Sequence, residues 1–195
     1  MTLQQGGDVP FDSKGTTVDN NSPNVLRHSV TADSLRKGLG LIGADGAIGV
    51  LQDENVKVYL YDPGDVVAQT PDGKTVIVKD QAIAWTRYGG ENRTAIYINQ
   101  NASTESAMIG FMHEFTHLIG GTEYEAWATT VDVAMKLQPF GGVQATLGPL
   151  PSMISNGRIN YQGIDSFLNT QMATPGNLYN LTNRQTAPIS ITQIY

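Results

Sequence analysis

The chain has 195 residues, 40% of them hydrophobic, enough for one well-packed core and outside the composition of a disordered protein. Its formal charge is -6 with no run of Lys or Arg, which argues against phosphate-driven nucleic-acid binding and against an anionic membrane surface. It has no cysteine, so disulfide staples, thiolate ligands and a cysteine nucleophile are excluded, and any metal must be held by N and O.

Residues 1–23 are rich in Gly, Asp, Asn, Ser and Thr without an apolar period, and read as a flexible leader or linker before a domain spanning 24–195. The opening MTLQQGGDVPFDSKG lacks the basic-then-apolar order of a secretory signal, and no apolar run approaches a bilayer span. The protein is then cytosolic as made, or a piece of a longer chain whose targeting lies elsewhere. From Thr31, TADSLRKGLGLIG sets a capping residue before Leu35, Leu39 and Ile42, which predicts a short helix. The next block, AIGVLQD, VKVYLYD, KTVIVKD, AIAWTRY and RTAIYIN, consists of β-branched or aromatic runs separated by Asp, Pro, Gly and Asn. These predict strands, and the alternation of Val56, Val58 and Leu60 or of Ala82 and Ala84 implies one buried face in a mostly antiparallel or mixed sheet. Gly89-Gly90-Glu91-Asn92 reads as a hairpin loop.

After that loop the period changes. Ser103 is an N-cap with Glu105 in the first turn, and Met108, Met112, Phe115 and Ile119 follow at helical spacing until Gly120-Gly121 stops the helix. Thr122 with Glu125 three residues on is a capping box, which starts a second helix through about Leu137 and folds it back on the first. A helix around GIDSFLNTQM and a final strand PISITQIY complete the reading of an α+β fold, a sheet followed by helices.

The chemistry lies in MHEFTHLIGGTEYEAWA, residues 112–128, which holds two of the three histidines. His113 and His117 share one helix face, about 5–6 Å apart at their β-carbons, so both imidazoles can reach one cation. Zinc, with Zn–N bonds of about 2.0–2.1 Å, suits that geometry. Glu114 is rotated by roughly 100° from His113 and can reach water on the metal, which makes it the general base. In such sites the metal polarises the scissile carbonyl and acidifies water, while the glutamate takes the proton and later passes it to the leaving amine. No histidine lies downstream of His117, so a carboxylate at the start of the second helix, Glu123 or Glu125, completes the ligand set. Glu125 already serves the capping box, so Glu123 is preferred.

HEFTH resembles the zincin metallopeptidase motif, and HEFTHLIGGTE is similar to the extended metzincin pattern with Glu123 where its last histidine stands. GGTEYE is similar to the Gly-Thr-x-x-Asp element of the aspzincins, and EYEAWA resembles the Glu-x-x-Ala-Asp/Asn ligand helix of gluzincins, again marking Glu123. Trp127 stands where those families place Asp or Asn, so the bond normally made there must come from elsewhere or be absent. The resemblance implies a zincin-like fold, with the sheet packed on the His-Glu-x-x-His helix and an antiparallel helix following, and zinc as cofactor. It also implies a protein or peptide substrate, laid along TAIYINQ as an edge strand. Met153 would form a Met-turn under the metal, and Tyr161 or Arg158 would stabilise the oxyanion, Tyr161 being the residue assigned.

The leader, the missing signal and the lack of Cys look like the metallopeptidase domains of bacterial polymorphic toxins and effectors. That likeness implies delivery by a bacterial secretion system and an immunity protein as partner. The alternative is a non-catalytic module in which the His pair is a remnant or regulatory metal site. His28 reads as a surface or capping residue, Trp85 and Trp127 as core aromatics, and Asp132 and Asp165 as solvated.

Overall fold

Thr31 caps the first helix, α1 (Ala32–Leu41), through a reciprocal pair of hydrogen bonds with Ser34, the capping box in which each residue satisfies the other's backbone N–H. The computed structural model describes residues 9–10, 26, 29–52, 56–61, 67–69, 75–77, 83–86, 95–141 and 148–172. Among them α1 is followed by α2 (Asp45–Gln52), which overturns the strand expected for AIGVLQD. That run holds only two β-branched residues, Ile48 and Val50, and Asp45 stands in the first turn, where a negative charge meets the helix dipole. Burying Ala47 against α1 then decides the matter.

Among the described residues, eight short strands form three sheets: β1 (Val9–Pro10), β2 (Lys57–Tyr61), β3 (Val67–Gln69), β4 (Thr75–Ile77), β5 (Ala84–Thr86), β6 (Ala95–Asn99), β7 (Ile154–Ser155) and β8 (Arg158–Ile159). The main sheet runs in the order β1-β2-β6-β5 and is mixed: β2 and β6 are parallel, whereas β1–β2 and β5–β6 are antiparallel. β1 falls inside the expected leader and pairs with β2; the rest of residues 1–23 lie outside the described residues, as do His28, Gly89-Gly90-Glu91-Asn92 and PISITQIY. The edge-strand role expected of TAIYINQ is also overturned. β6 has β2 on one side and β5 on the other, so its backbone hydrogen bonds are already taken, and among the described residues β5 is the outer strand beside it.

The remaining architecture serves one helix. α3 (Thr104–Leu118), capped by Ser103, lies between β5, β6 and α1 on one side and α4 (Glu123–Leu137) on the other. Its apolar stripe of Met108, Phe111, Met112 and Phe115 packs into a core with Leu35, Leu39, Ile96 and Ile98. Each such side chain contributes about 1.5–3 kcal/mol by leaving water. Gly110 brings α3 close to the sheet, since a β-carbon there would stand 2.9 Å from both Ala84 Cβ and Ile83 Cγ2. Beyond α4, a 3₁₀ turn at Leu150–Met153 and the β7–β8 hairpin lead into α5 (Tyr161–Met172), which packs on α4. The hairpin reverses at Asn156 (φ 53) and Gly157 (φ 68), two left-handed residues that make the turn matching strand twist. No helix among the described residues is long and apolar enough to cross a membrane.

Candidate metal centre

The turn between α3 and α4 brings the site together. Gly120 (φ 93) takes a conformation that L side chains rarely adopt, and the backbone reverses at once. Gly121 follows so close to α3 that a β-carbon on it would meet Thr116 Cγ2 at 2.5 Å and Thr116 O at 2.8 Å. Thr122 then caps α4, accepting from the Glu125 N–H, while Glu125 Oε2 accepts from the Thr122 N–H at 2.7 Å and its hydroxyl at 3.0 Å. Glu125 is thereby committed to the cap. Glu123, the first residue of α4, points at the two histidines instead.

One carboxylate oxygen of Glu123 lies 3.3 Å from His117 Nε2 and the other 3.5 Å from His113 Nε2. The ligand atoms of all three side chains lie within 4.8 Å of one another, and the imidazole planes are turned 77° apart. Both distances exceed the roughly 2.7–2.9 Å of a charge-assisted N–H···O bond. Tetrahedral bonds of about 2.0–2.1 Å put two donor atoms about 3.3–3.4 Å apart. The two separations are close to those of atoms that share a cation.

The hydrogen bonds behind the rings give the same orientation. His117 Nδ1 is 3.1 Å from Gly121 O, and a carbonyl only accepts, so Nδ1 carries a hydrogen and in the neutral ring Nε2 presents its lone pair to Glu123. His113 Nδ1 is 3.0 Å from Thr130 Oγ1. Glu123 is 8% exposed and His117 7%, and Glu123 Oε2 is buried without a hydrogen-bond donor among the described residues. A carboxylate facing two nitrogen lone pairs out of water is stable only with positive charge between them, a metal ion or a proton. His113, His117 and Glu123 therefore form a group that could hold a metal ion.

Without a metal, protons take that place. Burial alone would lower the His117 pKa, but hydrogen bonding to Glu123, the charges of Glu123 and Glu114, and the Gly121 carbonyl outweigh it and hold the pKa above 6.5. Burial would likewise raise the Glu123 pKa, yet the close His113 and His117 rings, which in their protonated form turn an N–H and a positive charge to the carboxylate, bring it from 4.5 down to about 2. Glu123 is an anion throughout the physiological range.

Glu114 is half-buried on α3 between the two histidines in sequence, and among the described residues no hydrogen bond or ion pair holds its carboxylate. Trp127 sets its ring edge-on to His113 at 5.3 Å and to Phe167 of α5 at 4.8 Å, forming one wall beside the group. Tyr161 is 48% exposed and stacks on Tyr124, the neighbour of Glu123, with centroids 6.0 Å apart; it is not one of the three converging side chains. Arg158 is exposed on β8, and Met153 is fully buried in the core. Asp132 pairs with Lys136 at 3.2 Å on the flank of α4, and Asp165 is exposed.

Thr130 and the Gly121 carbonyl were not among the residues marked from sequence. A signal for Thr130 exists: it lies seven residues after Glu123, two helical turns on and on the same face. No protein-family model, curated protein or solved structure matches the chain.

Proposed function

We propose that the protein is a zinc-dependent endopeptidase with a zincin-like arrangement, in which His113, His117 and Glu123 hold the ion and Glu114 is the general base. The observation that carries this reading is the meeting of two imidazole Nε2 atoms and one buried carboxylate at spacings of 3.3 and 3.5 Å, with each ring's Nδ1 facing a hydrogen-bond partner behind it. Two imidazoles and one carboxylate suit zinc and make a three-ligand set, the kind used where a position is kept for water.

A zinc ion there would supply Lewis acidity, acidifying water and polarising a peptide carbonyl. The chain's own residues do the rest. Glu123 would neutralise half of that ion's charge and the neutral rings none, which would leave the centre net positive. Glu114, held by no partner among the described residues, accepts the proton of the attacking water on its carboxylate and returns it to the leaving amine. Trp127, edge-on to both His113 and Phe167, lines one side of the group. Tyr161, beside Tyr124, is assigned the phenol that donates to the carbonyl oxygen as negative charge develops on it. The substrate is a protein or peptide, and the biological setting proposed is a bacterial toxin or effector domain delivered by a secretion system, with an immunity protein as its inhibitor.

The test is cleavage of a denatured protein such as casein by zinc-loaded protein, with chelator and with Glu114→Gln as controls. Cleavage that chelator abolishes and that Glu114→Gln lowers by about 10²–10⁴-fold, with zinc content unchanged, supports the proposal. Bound zinc with no Glu114-dependent cleavage would make the chain a non-catalytic metal module.

A further inference from the structure

We propose that Thr130 is the positioning residue that sets the tautomer and aim of His113 by accepting its outer N–H. The inference rests on the metal-centre reading of His113, His117 and Glu123.

Thr130 Oγ1 donates to Ala126 O at 2.9 Å and stands 3.0 Å from His113 Nδ1. A hydroxyl has one hydrogen, and here the Ala126 carbonyl takes it. Toward the ring, Thr130 can only accept, so His113 carries its hydrogen on Nδ1 and turns the Nε2 lone pair to Glu123. At 4% exposure, Thr130 cannot be replaced in this role by bulk water.

Helix geometry explains why this residue does it. Glu123, Trp127 and Thr130 stand at i, i+4 and i+7, one face of α4. Position 127 is the nearer of the two to Glu123, but an indole N–H only donates, and that of Trp127 is buried without an acceptor among the described residues. Trp127 therefore packs its ring edge-on to His113, and the hydrogen bond comes from the next turn.

A chemical consequence follows. The outer N–H groups of His113 and His117 meet neutral acceptors, the Thr130 hydroxyl and the Gly121 carbonyl. No carboxylate adds basicity to either ring through these bonds, so a bound ion receives negative charge from Glu123 alone among the three ligands.

The experiment compares the full chain with Thr130→Val, which keeps the shape and removes the acceptor, and Thr130→Ser, which keeps the acceptor. Zinc affinity is read by competition with a chromophoric chelator, and the imidazole tautomers of the metal-free proteins by ¹⁵N NMR at alkaline pH. The expected result is 10–100-fold weaker zinc binding in Thr130→Val, recovery within about threefold in Thr130→Ser, and an Nδ1–H signature for His113 in the wild type that Thr130→Val loses. Unchanged zinc affinity in a folded Thr130→Val variant overturns the inference. If that variant does not fold, an Nε2–H signature for His113 in the metal-free wild type overturns it just as directly. Failure of the wild type to take up zinc defeats the metal-centre reading itself, a result distinct from either.

Discussion

Replacing Glu123 by Gln keeps the side chain's shape and copies its protonated form, so it isolates the effect of one charge. The Glu123 carboxyl is held at about 2 against an ordinary 4.5, a depression of about 2.5 units, or roughly 3 kcal/mol at about 1.4 kcal/mol per unit. A depressed pKa stabilises the fold above the unfolded value, and that stability is lost as pH falls through the folded one. At neutral pH the metal-free Glu123→Gln protein should therefore be about 3 kcal/mol less stable than wild type, or about 6–12 °C in melting temperature for a domain of this size. The gap should narrow as pH falls toward 2. Zinc at 100 times its dissociation constant should add about 2.7 kcal/mol to wild type, and at the same zinc concentration much less to Glu123→Gln. Scanning calorimetry of chelator-dialysed protein, with and without zinc, reads both effects. A metal-free variant as stable as wild type at neutral pH, or one that zinc stabilises equally, would refute the reasoning.

The remaining predictions concern the same few residues. The raised His117 pKa contributes stability to the metal-free protein that is complete below 6.5 and disappears as pH climbs through the raised value. Zinc requires the neutral ring, so the stabilisation it confers should grow over that same pH interval; melting temperatures taken across pH with and without zinc should diverge, and parallel curves would count against the site. Gly121→Ala sets a β-carbon 2.8 Å from a backbone oxygen and should cost about 1–3 kcal/mol in denaturant unfolding, with weaker zinc binding because the carbonyl behind His117 shifts. Thr122→Ala removes the cap of α4 and should cost about 1 kcal/mol by the same assay. Tyr161→Phe should lower peptide turnover by about 10²–10³-fold with zinc content unchanged; full activity would remove Tyr161 from the catalytic set.

How far the site could be read in advance depended on the range of the interactions involved. Local chemistry was legible: Thr31, Ser103 and Thr122 cap helices where their spacing indicated, because capping involves only three or four neighbouring residues. The preference for Glu123 followed from the same kind of step, since the cap engages Glu125 and leaves the adjacent carboxylate free to turn inward. Short apolar runs were another matter. AIGVLQD suits strand or helix equally, and only its packing on α1 chose α2. The strand character of β6 is local and plain, but which strands flank it depends on non-local pairing, which its own residues do not carry. Asn156-Gly157 carries a strong two-residue turn signal, and the β7–β8 hairpin reverses there. Thr130 was harder still, because its contact with His113 requires the way α4 crosses α3.

The central claim is that two imidazoles and one carboxylate meet at a single ion. X-ray absorption at the zinc edge, on protein loaded with one equivalent of zinc, tests it most directly. The expected spectrum has two imidazole nitrogens at about 2.0–2.1 Å and a carboxylate oxygen at about 2.0–2.2 Å, with an imidazole contribution lost in His113→Ala and in His117→Ala. Zinc that fails to bind, or a spectrum unaltered by either substitution, would contradict it.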